Sequence, residues 1–300
     1  MAKCSQFNLI FEPMNRSIFI VALLLLPFIG KGQNFMAWQL NDRYFSLSLG
    51  TGQTKYFGEL NTQNKRQTDF SHGTLSLEAR LWTKISARTT IGFYQIRGDD
   101  QKAADQSWEK ERNLSFESNN WEMSIQGVYF FRKYAGIYNN RWKFDPYSTL
   151  GMGITTFDPY TYLMVQENGK EINAKYSLRD YQTENINYNK IALIIPVGLG
   201  LKMKITPFIN FNFELAYRYS FTDYLDDVST SFPEFIDNKS IQYQLSNRRR
   251  ENYTENEDAW NTLIPGAPRG NSKTNDQYLF YSFQLEVFLT GGKGKMFKRS

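Results

Sequence analysis

The sequence predicts an all-β protein: an eight-stranded up-and-down antiparallel transmembrane β-barrel with short periplasmic turns and long outer loops. Three observations predict it. Segments of about ten residues alternate between large apolar and polar side chains. The connections between them alternate between short and long. A leader of the secretory type precedes them.

The clearest strand is 207–219. Ile209, Phe211, Phe213, Leu215, Tyr217 and Tyr219 share one face, and Asn210, Asn212, Glu214, Ala216 and Arg218 share the other. A soluble sandwich strand alternates too, but its polar face looks at water. Here the aromatic finish and the length point to an apolar face on lipid and a polar face turned into a lumen.

The other strands follow in chain order. The first, about 43–50, sets Phe45, Leu47 and Leu49 against Ser46 and Ser48. The second, 73–82, sets Leu75, Leu77, Ala79 and Leu81 against Ser76, Glu78 and Arg80. In the third, 87–97, Ile91 and Phe93 alternate with Thr90 and Gly92, and the two faces are less distinct. The fourth, 118–131, places Trp121, Met123, Ile125, Tyr129 and Phe131 opposite Glu122, Ser124 and Gln126. The fifth, 143–156, carries Leu150, Met152 and Ile154 against Gly151, Gly153 and Thr155. The sixth, 189–204, turns Ile191, Leu193, Ile195, Val197, Leu199, Leu201 and Met203 outward. The eighth, 277–289, opposes Leu279, Tyr281, Phe283, Leu285, Val287 and Leu289 to Ser282, Gln284 and Glu286.

Short links are expected around Lys84-Ile85-Ser86 and Ile205-Thr206, and a moderate one holds Gly136, Asn139 and Asn140. The remaining links, about 51–72, 98–117, 157–188 and 220–276, are longer. Short periplasmic turns alternate with long outer loops in outer-membrane barrels, and an even strand count puts both termini in the periplasm. A soluble eight-stranded barrel explains the strands but not this asymmetry.

Arg16 precedes an apolar run from Ile18 to Leu26, Pro27 breaks it, and Gly30-Lys31-Gly32 offers a small-x-small cleavage site. These are the three regions of a signal peptide. The run falls short of the ~20 residues a membrane helix needs, which argues against an anchor helix. Met14 is an alternative start. The expected organisation is a signal peptide over 1–32, a barrel over 33–290 and a basic periplasmic tail over 291–300.

The net charge of +5 falls to about +3 once the leader is removed, too weak and too scattered to argue for nucleic acid. Mean hydropathy is −0.53 despite 16% aromatic residues, as expected when half of every strand is polar. Cys4 is the only cysteine and lies in the leader, so disulfides and cysteine zinc sites are excluded from the mature chain. His72 is the only histidine. No cofactor or metal is expected. An outer-membrane lipid-modifying enzyme would have to use His72, with Ser71 beside it at the outer end of the second strand. Neighbours on a strand point to opposite faces, which speaks against that pair.

The inferred lumen holds Glu78, Arg80, Glu122, Lys202, Asn210, Asn212, Glu214, Arg218, Gln284 and Glu286. Eight strands leave a bore just wide enough for side chains to fill, and charges inside it must be paired. A closed polar plug is therefore expected over a small pore.

Several segments carry a resemblance. They are Tyr56-Phe57-Gly58-Glu59-Leu60 after the first strand, Gly98-Asp99-Asp100, Arg112-Asn113-Leu114-Ser115-Phe116, Asp145-Pro146-Tyr147, Phe157-Asp158-Pro159, Tyr217-Arg218-Tyr219, and Thr222-Asp223-Tyr224-Leu225-Asp226-Asp227-Val228-Ser229. In order and spacing these resemble the PorG-like outer-membrane barrels of Bacteroidota, the DUF6089 type, over about 43–289. The resemblance implies a non-enzymatic scaffold of the type IX secretion system, set in outer-membrane lipid. Its implied partner is the periplasmic ring built by the PorK lipoprotein and PorN. A passive surface barrel or small pore is the alternative. One departure is the basic tail after Leu289, where many such barrels end on an aromatic residue.

Asp99, Asp100, Asp223, Asp226 and Asp227 gather near the outer ends of the third and seventh strands. Clustered carboxylates can bind calcium, but these lack an EF-hand spacing. Loop-capping pairs with Arg97, Arg112 or Arg218 are expected instead. Arg248-Arg249-Arg250 could hold lipopolysaccharide phosphates, yet Glu251, Glu255, Glu257 and Asp258 follow at once, which favours a solvated charged loop.

Overall fold

The computed structural model describes residues 44–60, 71–133, 141–167, 170–234, 240–251 and 265–289. The expected leader and tail, and the link residues Gly136, Asn139 and Asn140, lie outside the described residues.

Eight strands form a closed antiparallel barrel: β1 (Phe45–Phe57), β2 (His72–Arg80), β3 (Ile85–Asp99), β4 (Ser115–Phe130), β5 (Phe144–Thr156), β8 (Ile191–Thr206), β9 (Ile209–Ser220) and β10 (Gln277–Leu289). Each pairs with its neighbour in that order, and β10 pairs with β1 to close the ring. Two further strands, β6 (Tyr160–Glu167) and β7 (Lys170–Ser177), form a hairpin outside the ring.

Facing follows the period of two. In β9, Asn210, Asn212, Glu214, Ala216, Arg218 and Ser220 are buried. Outward positions around the ring stay open, among them Leu49 at 68% exposure, Met152 at 73% and Leu193 at 62%. Such a continuous apolar belt is far larger than a water-soluble surface tolerates, and it matches a lipid-facing band. Trp82, Phe131, Trp142 and Phe144 are exposed at the short-turn end, and Tyr219 and Phe221 at the other. These are the positions of two interfacial aromatic girdles.

The strands run further than alternation indicates. β1 continues to Phe57 rather than stopping near Gly50, so Tyr56 and Phe57 belong to it, and β4 starts at Ser115. A membrane strand needs ~9–11 residues, whereas β3 has 15 and β4 has 16. The surplus lies at the long-loop end, where the outward face turns polar with Gln53, Lys55, Gln95 and Arg97. The hydrophobic signal fades there while the ladder continues, down to Phe57 opposite Gln277. At the other end, Ile85 and Ser86 already belong to β3, and Thr206 ends β8, so the tight turn is Pro207-Phe208.

The long link 157–188 contains the hairpin β6–β7. In β6, Thr161, Leu163 and Val165 turn inward while Tyr162 and Met164 are exposed. Both faces are largely apolar, so no polar alternation announces the strand. The bridge Glu117–Tyr160 fixes the hairpin to β4.

The interior has two layers. Towards the short turns it is polar. Towards the long connections Tyr56, Tyr94, Ile96, Phe116, Tyr278 and Phe280 form an apolar core that continues into Leu60, Leu114, Phe157, Leu225 and Leu245 of the connections. The connections are thereby packed as a cap on the barrel mouth.

Candidate functional site

The lumen network is built in tiers. In the lowest, Lys202 donates to Glu78 at 2.9 Å and to Glu286 at 2.8 Å. Glu286 also accepts from Ser46 at 2.6 Å, Asn210 at 2.8 Å and Asn212 at 3.1 Å. Asn210 in turn accepts from Arg141 at 2.7 Å, whose guanidinium also donates to the carbonyls of Thr206, Pro207 and Ile209. Arg80 donates to the carbonyl of Thr83 and lies 3.9 Å over the Phe130 ring. Beside these groups a recess of only about 10 Å³ remains, too little for more than a single water.

In the middle tier Arg88 grips Glu214 with two bonds of 2.7 and 3.1 Å and donates to Gln126 at 2.7 Å. The Tyr147 hydroxyl donates to Glu214 at 2.7 Å. Above it Arg218 reaches Glu122 at 3.3 Å, and Tyr278 donates to Glu122 at 2.9 Å. Gln284 is buried on the same inner face. All ten lumen residues expected from alternation are inward. Glu214 and Arg218, however, have different ion partners, Arg88 and Glu122.

Arg88, Tyr147, Ser46, Gln126 and Arg141 were not among the expected network residues. Arg88 shares its parity with Thr90 and Gly92 on the strand whose faces read least distinctly, and that parity was the available signal. His72 also turns into the lumen, where its Nε2 lies 2.9 Å from the Ser282 hydroxyl and its ring stacks on Phe280. It does not pair with Ser71, whose hydroxyl accepts from the Thr54 amide.

At the long-loop rim the motif residues hold the cap together. Arg112 clamps Asp100 with bonds of 2.8 and 3.0 Å and donates to the carbonyls of Arg269 and Glu59. Asp99 accepts from the Gln101 amide and pairs with Lys102 at 3.0 Å. Asn113 ends the helix Trp108–Arg112 at φ 60°, a left-handed position that asparagine tolerates well. Its amide donates to the Arg248 carbonyl. Arg248 donates to Ser115 at 2.6 Å and pairs with Glu251, and Arg249 pairs with Glu111. These two arginines are thus tied into the cap wall. Phe116 packs edge-on against Tyr56.

Of the clustered aspartates, Asp100 takes one of the expected arginine partners, Arg112. Asp227 sits at φ 69° and accepts from Thr183, from Tyr188 at 2.7 Å and from Arg269 at 3.4 Å. Arg269 also pairs with Glu184 at 2.8 Å. Asp226 accepts from the amides of Leu60 and Val228. Asp276 accepts from Tyr56 and from the Leu225 amide. Glu184, Arg269 and Asp276 lie outside the segments that carry the resemblance, Glu59 sits within one of them, and only the packing of the connections brings the four here.

Burial pushes four of these carboxyls up: Glu59 and Asp223 to about 7, Asp226 to about 8, and Asp276 well above its usual range. Their mutual repulsion adds to the effect. The Ser229 hydroxyl offsets part of the rise at Asp223. Among the described residues, clefts open beside the cap. One of about 1270 Å³ is bordered by Arg97, Tyr162, Met164 and Arg248, and one of about 830 Å³ by Phe57, Glu59, Trp108 and Asn271.

A closed eight-strand meander with an apolar belt and a side-chain-filled lumen is a β-barrel of the outer-membrane type. Residues 34–253 match the family described as "Domain of unknown function (DUF6089)", and the chain belongs to that family. No curated protein matches its sequence. Among solved structures it is similar to a major outer membrane protein from Thermus thermophilus, at 13% identity and a TM-score of 0.39, covering 82% of this chain and 99% of that one. It is similar to Neisserial surface protein A at 10% identity and a TM-score of 0.37, covering 82% and 96%. The outer membrane protein OprG from Pseudomonas aeruginosa aligns at 10% identity and a TM-score of 0.35, covering 83% and 95%.

Proposed function

We propose that this barrel is a non-enzymatic anchor of the type IX protein secretion system. In this reading it sits in the outer membrane, keeps both termini in the periplasm, and holds the periplasmic ring of PorK and PorN. The observation that carries the reading is the filled interior. Tiers of paired charges below and an aromatic core above leave the lumen no room for cargo or substrate. His72 is 4% exposed within that filling, which supports a structural role for it and an absence of lipid chemistry. The work then falls to the surfaces at either end. Resemblance to the PorG-like barrels favours the short-turn end.

Photo-crosslinkers placed in the turn 81–84 and at Phe208 test this in cells. Recovery of a ring-forming periplasmic protein or lipoprotein is the expected result. Absence of any periplasmic partner, together with normal protein secretion in a deletion strain, would retire the reading. A passive surface barrel is the second reading, favoured by the cleft of about 1270 Å³ among the long connections. It expects crosslinks only from that cleft.

A further inference from the structure

We propose that Glu59, Asp223 and Asp276 form a calcium site that pins the long connections to the barrel rim. The three residues come from the ends of three adjacent strands: Glu59 follows β1, Asp223 follows β9 and Asp276 precedes β10, which lies between them. One carboxylate oxygen from each lies within 4.8 Å of the others. Calcium holds oxygens at about 2.4 Å in flexible geometry, so three oxygens gathered this closely fit around one ion. Magnesium demands near-ideal octahedral geometry at about 2.1 Å and sheds its waters reluctantly, so it is seldom held by an all-protein set. The donor set is oxygen only, which selects a hard cation over zinc or copper.

The second observation is the state of the oxygens. Asp223 is 7% exposed, and both its carboxylate oxygens are buried without a hydrogen bond. Oε2 of Glu59 is buried and unpartnered as well, while Oε1 accepts from the Asn271 amide. Buried carboxylate oxygens are almost always satisfied, since leaving them bare costs their full desolvation. Arg112 approaches Glu59 only through its carbonyl, and its guanidinium is committed to Asp100. A dication would meet all of these oxygens at once.

The backbone is shaped for this approach. A Cβ at Gly58 would overlap the Tyr56 hydroxyl and Asp276, so only glycine lets the chain pass here. Glu59 also borders the cleft of about 830 Å³, which supplies an entry path from solvent. The site is independent of the secretion reading, because it needs only the cap geometry.

The full chain, refolded in detergent, is titrated with calcium by calorimetry at about pH 8, where the crowded carboxyls can ionise. Saturable one-to-one binding is expected, with a dissociation constant of roughly 10⁻⁴ to 10⁻³ M, as in extracellular calcium modules. Asp223→Asn should weaken it at least about tenfold by removing one charged ligand, and Asp105→Asn, at an exposed site, should leave it unchanged. Should Asp223→Asn fail to fold, Glu59→Gln at the cleft wall takes its place, with the same weakening expected. No saturable binding up to about 10 mM calcium, well beyond the affinity range of such modules, would overturn the site. So would a folded ligand variant that binds as wild type does. So too would a variant that melts higher than wild type while calcium leaves both unmoved, since protons would then be holding the carboxyls.

Discussion

The carboxylate of Glu214 accepts two bonds from Arg88 and one from Tyr147 inside the barrel, with neither ion partner more than 4% exposed. Arg88→Met should strand Glu214 and cost about 3–5 kcal/mol, the penalty of an uncompensated buried charge. Phe213→Leu, on the adjacent lipid-facing position, should cost less than about 1.5 kcal/mol, because fluid lipid closes over the smaller side chain and no rigid cavity remains. Urea unfolding in detergent compares the two, and equal losses would overturn the assignment of faces. Asp227 in the cap has a pH signature of its own. Burial pushes its carboxyl up to about 6, against a partial offset from Arg269. The unfolded cap gives up this proton near pH ~4 and the folded cap near pH ~6. The folded form therefore holds the extra proton between those values, and the cap loses stability as pH rises through that window. Asp227→Asn should flatten this part of the profile, read as the rate of cap proteolysis against pH.

Between strands, close approach is set by glycine. A Cβ at Gly200 would fall within the ring of Tyr147, the phenol that completes the Glu214 site. Gly200→Val should displace that ring and cost about 1–3 kcal/mol by overpacking, more if Glu214 also loses its bond. The melting temperature and the tyrosine near-UV signal report it together. The hairpin β6–β7 shares the backbone bridge Glu117–Tyr160 with the ring, and Thr161 and Leu163 add a hydroxyl contact to Ser115 and a place in the cap core. Replacing 160–177 with a short flexible linker should leave the barrel itself folded. Strand existence and facing were legible because apolar and polar residues alternate across the membrane. Strand ends were not, because above the belt the outward face turns polar while the inward face joins the apolar cap core, so the lipid-facing alternation inverts there although the ladder of backbone hydrogen bonds runs on.

As a whole, the described residues form a barrel with an apolar belt and an interior filled by side chains. It should fractionate with outer membranes, migrate anomalously on gels unless boiled, and show no steady conductance in planar bilayers. Recovery as a soluble periplasmic protein would contradict the belt, and stable single-channel currents would contradict the filled lumen. Alternation, loop asymmetry and composition determined the class of fold, the inner and outer faces and the polar lining, because side-chain direction along a strand is a local property with a period of two. Pairing is not local. Arg88 meets Glu214 across 126 residues, and Arg112 reaches the Arg269 carbonyl across 157. Such partners are chosen by the register at which the ring closes and by how the long connections fold down on its mouth. The crowding of Glu59, Asp223 and Asp276 arises in the same way, from three strand ends made neighbours by closure, and so only the tertiary structure decided it.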